Sequence, residues 1–80
     1  MGQTTCRPLS SLAQGRRGTV AYLVGGRAFQ QRMVSMGIRV GTELEVLRGS
    51  SGPVLVGVGE SRLALGRGMA EKIMVNVDTE

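Results

Sequence analysis

Glu43 and Glu45 are the closest approach in this sequence to a catalytic pair, two carboxylates with one residue between them. Two acids can divide general-acid and general-base work when one is held protonated and the other ionised. On a strand such residues share a face and stand about 7 Å apart. Residues 42–48 alternate polar and apolar, however, so both carboxylates fall on a solvated strand face and read as surface. No other group can join them in a reactive set. The chain has no histidine, which removes the usual Ser–His and Cys–His nucleophile pairs. Cys6 is the only cysteine, so an internal disulfide is excluded. A transition-metal site would rest on carboxylates and one thiolate without imidazole, a poor donor set. Thirteen glycines include no G-x-x-x-x-G-K-[ST] loop. Gly57-Val58-Gly59 lies inside a strand pattern and opens no helix, so it carries no dinucleotide signal. The inventory points away from an enzyme and assigns no cofactor.

Binding is the remaining class. The net charge is +4, from ten basic and six acidic residues, and nine of the bases are arginine. Such a surface attracts nucleic acid, anionic lipid or an acidic protein face. A small basic β-barrel that binds nucleic acid is one reading. Against it, Tyr22 and Phe29 are the only aromatics available for base stacking. Arg16, Arg17, Arg48, Arg62 and Arg67 are also spread over separate turns.

The elements that carry these residues are short. Eighty residues make one small domain, and with one Phe, one Tyr and no Trp its core must be aliphatic. The helix is the centre of the arrangement, over about residues 27–36. Phe29, Met33 and Met36 share one face at i, i+4 and i+7, while Arg27, Gln31 and Ser35 face away. Gly37 supplies a left-handed stop, Ile38 packs back, and Gly41 with Thr42 turns the chain into a strand. Strands are expected at 19–24, 42–48, 54–59, 62–65 and 72–77. Gly57 and Gly59 are read as a bend within the third of these. Leu9 to Leu12 suits one helical turn, and residues 66–71 suit another. Residues 1–8 read as a flexible arm holding a free thiol, residues 9–77 as the domain, and residues 78–80 as a frayed tail. Five strands, glycine turns and one inserted helix predict a mainly β fold, a small closed or nearly closed barrel. No apolar run reaches the ~20 residues of a membrane span and no secretory pattern opens the chain, so a cytoplasmic protein is expected.

These residues resemble a known family. Arg32-Met33-Val34-Ser35-Met36-Gly37-Ile38-Arg39-Val40-Gly41-Thr42, followed by Leu44-Glu45-Val46, is similar to the helix-to-strand segment of FeoA-type domains. Gly52-Pro53-Val54, Leu63-Ala64-Leu65-Gly66-Arg67, Met69-Ala70 and Ile73-Met74-Val75 resemble that family's closing strands and turn. Leu9 to Gly15 and Val20 to Gly26 match its opening, so the likeness spans residues 9–77. Val40 stands where the family commonly has proline, and Met33 and Met36 stand for leucines. The resemblance implies an SH3-like barrel with an inserted helix and no enzyme activity. It further implies a cytosolic accessory protein of bacterial ferrous iron uptake, whose partner is FeoB, a membrane transporter with a cytosolic GTPase domain. Similar domains close the DtxR-like metal-dependent repressors, whose preceding helix-turn-helix has no counterpart in these residues. Under this reading the helix and its turn make the partner contact. Arg27, Arg32 and Arg39 would pair with carboxylates, and Val34 would supply an apolar contact beside them. Direct iron sensing would have to use Glu43, Glu45, Glu60 or Asp78, and without histidine any such metal binding is expected to be weak.

Overall fold

Alternating side chains decide what is inside. A computed structural model describes residues 3–49 and 51–79; residues 1 and 2 of the expected arm, Ser50 of the turn and Glu80 of the tail lie outside them. Six strands form: β1 Gln3–Pro8, β2 Arg17–Leu23, β3 Glu43–Arg48, β4 Val54–Val58, β5 Ser61–Leu65 and β6 Ile73–Thr79. A 3₁₀ turn, Leu9–Ser11, follows β1. Two helices, α1 Arg27–Ser35 and α2 Arg67–Ala70, complete the chain. Leu44 and Val46 of β3, Val54 and Val56 of β4, and Ile73, Val75 and Val77 of β6 are all buried. Leu65 of β5 joins them, and Leu9, Leu12, Met33, Ile38 and Ala70 close the same aliphatic core from the turns and helices. Among the described residues no helix is long and apolar enough to cross a membrane.

The expected five-stranded SH3-like barrel is not what forms. The strands make one open antiparallel sheet in the order β1-β6-β2-β3-β4-β5, and its outer strands, β1 and β5, are not paired with each other. The sixth strand comes from the segment read as an arm, with Thr5 opposite Val77 and Arg7 opposite Val75. The frayed tail is also strand, since Asp78 stands opposite Thr4. Helical turns and one side chain occupy the end of the gap between the edge strands. β5 runs straight into α2, β1 runs straight into the 3₁₀ turn, and the two turns meet. Arg67, at the start of α2, donates from Nε to the Gly52 carbonyl at 3.2 Å and from Nη1 to the Ser10 carbonyl at 3.4 Å. Its Nη2 donates to the Gly49 carbonyl. One guanidinium thus ties the β3–β4 connection to the turn after β1.

The breaks in strand register fall elsewhere than at Gly57 and Gly59. β2 carries one extra residue, Ala21, against β6, and β3 carries one, Leu47, against β4. Each is a bulge, which bends its strand and sharpens the local twist. Gly59, at φ 59°, instead makes the first position of a two-residue hairpin loop with Glu60.

The segment between β2 and β3 leaves the sheet as α1 and is pinned at both ends. Val24 N–H donates to the Lys72 carbonyl, and Gln30 Nε2 donates to the carbonyls of Leu23 and Gly25. At the far end Gly37 takes φ +88°. The N–H of Ile38 reaches the Met33 carbonyl and that of Gly37 reaches the Val34 carbonyl. This pair of hydrogen bonds, with a buried Ile38, is the Schellman arrangement expected from the sequence. The chain then turns through residues 39–42. Thr42 N–H donates to the Arg39 carbonyl with Gly41 at φ +96°, which defines a type II turn with Val40 at its second position. Gly41 N–H to Val20 O and Val20 N–H to Thr42 O return the chain to β2. Proline suits the second position of such a turn, and Val40 is 64% exposed. Val40→Pro is therefore expected to raise stability by about 0.4–1 kcal/mol through the unfolded chain. Urea denaturation measures this, and a loss would mean that Arg39 cannot take the extended backbone that precedes proline.

Candidate docking site

The helix has two dissimilar sides. Met33 is fully buried, and Phe29 and Met36 are half-buried against the core, so the predicted stripe faces inward. Lys72 Nζ lies 5.4 Å from the centre of the Phe29 ring, covering the stripe's N-terminal end. The outward side carries Arg27, Gln31, Val34 and Ser35. Arg27 and Val34, seven residues apart, fall on one line along the helix. Val34 is 44% exposed and borders a shallow hollow of about 290 Å³ with Gln30, Gln31 and Ser35. Arg32 is exposed on the helix flank, in the last turn, where a cation complements the helix C-terminus. Arg39 is exposed just beyond the glycine cap.

The four residues singled out from the sequence therefore lie on one helix and the turn that follows it, all open to solvent. Among the described residues the only salt bridge joins Arg17 Nε to Glu45 Oε1 at 3.7 Å, so Arg27, Arg32 and Arg39 have no carboxylate partner.

The other candidates separate. Glu43 and Asp78 line a polar depression of about 380 Å³ on the outer sheet face, with Thr4, Arg17, Thr19 and Asn76. Glu60 sits apart in the β4–β5 turn, and among the described residues no three of His, Cys, Asp and Glu are grouped to hold a metal ion. Of the arginines weighed for nucleic acid, Arg17 is drawn to Glu45 and Arg67 is spent on three carbonyls. Arg16 donates from Nη2 to the Asp78 carbonyl at 3.2 Å. Arg67 is the residue whose role the sequence hid, since its partners come from two distant connections.

Comparison with known proteins bears on this arrangement. The family model for the FeoA domain matches residues 7–77. A protein of Methanocaldococcus jannaschii named "Putative Fe(2+) transport protein A" is 43% identical over 68 residues, 85% of this chain and 83% of its own length. The crystal structure of an iron uptake regulatory protein, FeoA, superposes with a TM-score of 0.84 at 38% identity, covering 91% of this chain and 99% of that one. A solution structure of FeoA from Chlorobium tepidum gives 0.79 at 30% identity, over 88% of this chain and 69% of that one. The matched segment begins at the end of β1 and runs into β6, taking in β2 to β5 and the α1 excursion, and the chain belongs to the FeoA domain family.

Proposed function

We propose that this domain is a non-enzymatic, cytoplasmic accessory protein of ferrous iron uptake. It acts by protein–protein contact with the cytosolic GTPase domain of a FeoB-type membrane transporter. The contact is made by the outward side of α1 and the turn after it, through Arg27, Arg32, Val34 and Arg39. The observation that carries the reading is three exposed arginines without an acidic partner, placed around an exposed valine on a helix whose other side is fixed in the core. Folding alone does not require that combination: an unpaired arginine contributes little to the stability of the monomer, and an outward valine contributes less. Arginine suits the contact because its planar fork meets a carboxylate at two points. The ferrous-iron assignment rests on family membership and on the names of the relatives, one an Fe(2+) transport protein and one an iron uptake regulator.

Charge reversal tests the surface. Arg32→Glu is expected to weaken binding to the purified GTPase domain about tenfold, more through dissociation than association if the contact is desolvated. Calorimetry gives the affinity, and thermal melting confirms that the variant is folded. An unchanged affinity in a folded variant removes Arg32 from the interface. The same result for Arg27→Glu and Arg39→Glu removes the surface.

A further inference from the structure

Charge is divided along this chain in a way that the fold turns into a place. No Asp or Glu occurs before Glu43; all six carboxylates lie from there to the end, while six of the ten bases precede it. Of the six bases before Glu43, Arg17 meets Glu45 on the sheet and Arg16 reaches the Asp78 backbone carbonyl. Arg27, Arg32 and Arg39 gather on the α1 excursion and, like Arg7, Arg48 and Arg62 spread over three strands, have no carboxylate partner among the described residues.

A second observation, independent of charge, falls on the same stretch. Among the described residues the large apolar side chains most open to solvent are Tyr22, Val24, Val34 and Val40, and all four lie within residues 22–40. Hydrogen bonds hold these pieces together. Val24 is tied to the strand pair below α1, and the turn bearing Val40 is tied back to Val20. The excursion is thus one pole of the molecule, cationic and partly apolar, with Glu43 and Glu71 only at its margins.

We infer that this pole takes an acidic protein segment that carries one apolar side chain, seated in the hollow beside Val34, with flanking carboxylates held by Arg27, Arg32 and Arg39. The inference rests on the docking reading above and names the chemistry of the partner. Two features favour a protein segment over a lipid surface. Every unmatched cation on the excursion is arginine, whose forked donors gain from a fixed carboxylate geometry that a fluid headgroup layer does not offer. The hollow is also small and local, with an apolar surface bounded by Gln30, Gln31, Val34 and Ser35, a size that seats one apolar side chain of a bound segment. A bilayer needs neither.

The test uses the intact chain, isotope-labelled, and a short synthetic peptide with a central Leu flanked by glutamates. Two control peptides replace the central Leu by Ser or the glutamates by Gln. Amide shifts are expected at Gln31, Val34, Ser35 and Val40. Replacing Leu by Ser should weaken binding several-fold, and raising salt from about 0.05 to 0.3 M should weaken it about tenfold. Arg27→Glu with Arg39→Glu should abolish the shifts. Arg48→Glu with Arg62→Glu, the same change in net charge at exposed positions elsewhere, should leave them. The inference is overturned if the acidic peptide shifts nothing at millimolar concentration, or shifts residues of β3 to β5 instead. It is also overturned if the glutamine peptide binds as well, or if phosphatidylglycerol vesicles engage the pole while the peptide does not. Failure of the docking reading looks different. In that case the acidic peptide binds the pole as described, and the transporter's GTPase domain does not bind the protein at all.

Discussion

Met33→Ala is expected to lower the free energy of unfolding by about 2–5 kcal/mol, the range for emptying a fully buried methionine site. Met33 has no exposed surface and sits on the inward side of α1. Its carbonyl also anchors the helix end, accepting from Met36 at 3.0 Å and Ile38 at 2.8 Å. Alanine keeps those backbone bonds and is a good helix former, so the loss isolates packing. For a domain of this size the total is about 4–12 kcal/mol, so the variant is expected to sit near the edge of folding. Met33→Leu fills nearly the same volume and should cost less than about 1.5 kcal/mol. Val34→Ala, one residue on but facing out, should change stability by no more than about 0.5 kcal/mol. Urea denaturation of the three variants checks the ordering. A Met33→Ala loss below about 1 kcal/mol would mean that the sheet, not the helix, closes the core at this point.

The second large effect is at Arg67. Arg67→Ala removes three charge-assisted hydrogen bonds to carbonyls of Ser10, Gly49 and Gly52. Such bonds run to about 1.5–3 kcal/mol each when desolvated. The side chain is only partly buried and freed carbonyls can find water, so about 2–3 kcal/mol in total is expected. Arg67→Lys should recover less than half of this, since a single ammonium cannot span three acceptors held in different directions. Hydrogen exchange gives the readout that separates a latch from general weakening. The amides of residues 9–12 and 49–54 should lose protection before those of β2 and β6 do. Uniform loss of protection, or a change below about 0.5 kcal/mol, would refute the latch.

The helix and its surroundings were legible because each rule acts over a few residues. The 100° period separates Met33 from Val34, and a glycine followed by a hydrophobe marks the Schellman end. What escaped depends on distant partners. β1 has no apolar alternation to announce it, since Thr4 to Arg7 are all exposed. It is held by backbone bonds to β6 at the other end of the sequence. Whether the sheet closes is equally unreadable from residue types. It depends on the bulges at Ala21 and Leu47 and on where α2 and the 3₁₀ turn fall, and these leave β1 and β5 unpaired. Gly57 and Gly59 drew the prediction of a bend because glycine permits one. The breaks in register fall instead at two residues that give no local sign of them. At the candidate docking site, exposure of Arg27, Arg32 and Val34 followed from helix phase, and Arg39 is exposed in the turn beyond the helix. Arg67 looked the same in composition and proved to be structural, because its acceptors are assembled only by the fold.

The β1–β6 ladder has a consequence for how such a domain is carried. Gln3 stands opposite Thr79, so the first and last described residues are neighbours across one antiparallel rung, about 5 Å apart. A domain whose ends meet in this way can be spliced as a cassette into a surface loop of a larger host. It asks for little connecting sequence there and leaves the pole at α1 unobstructed.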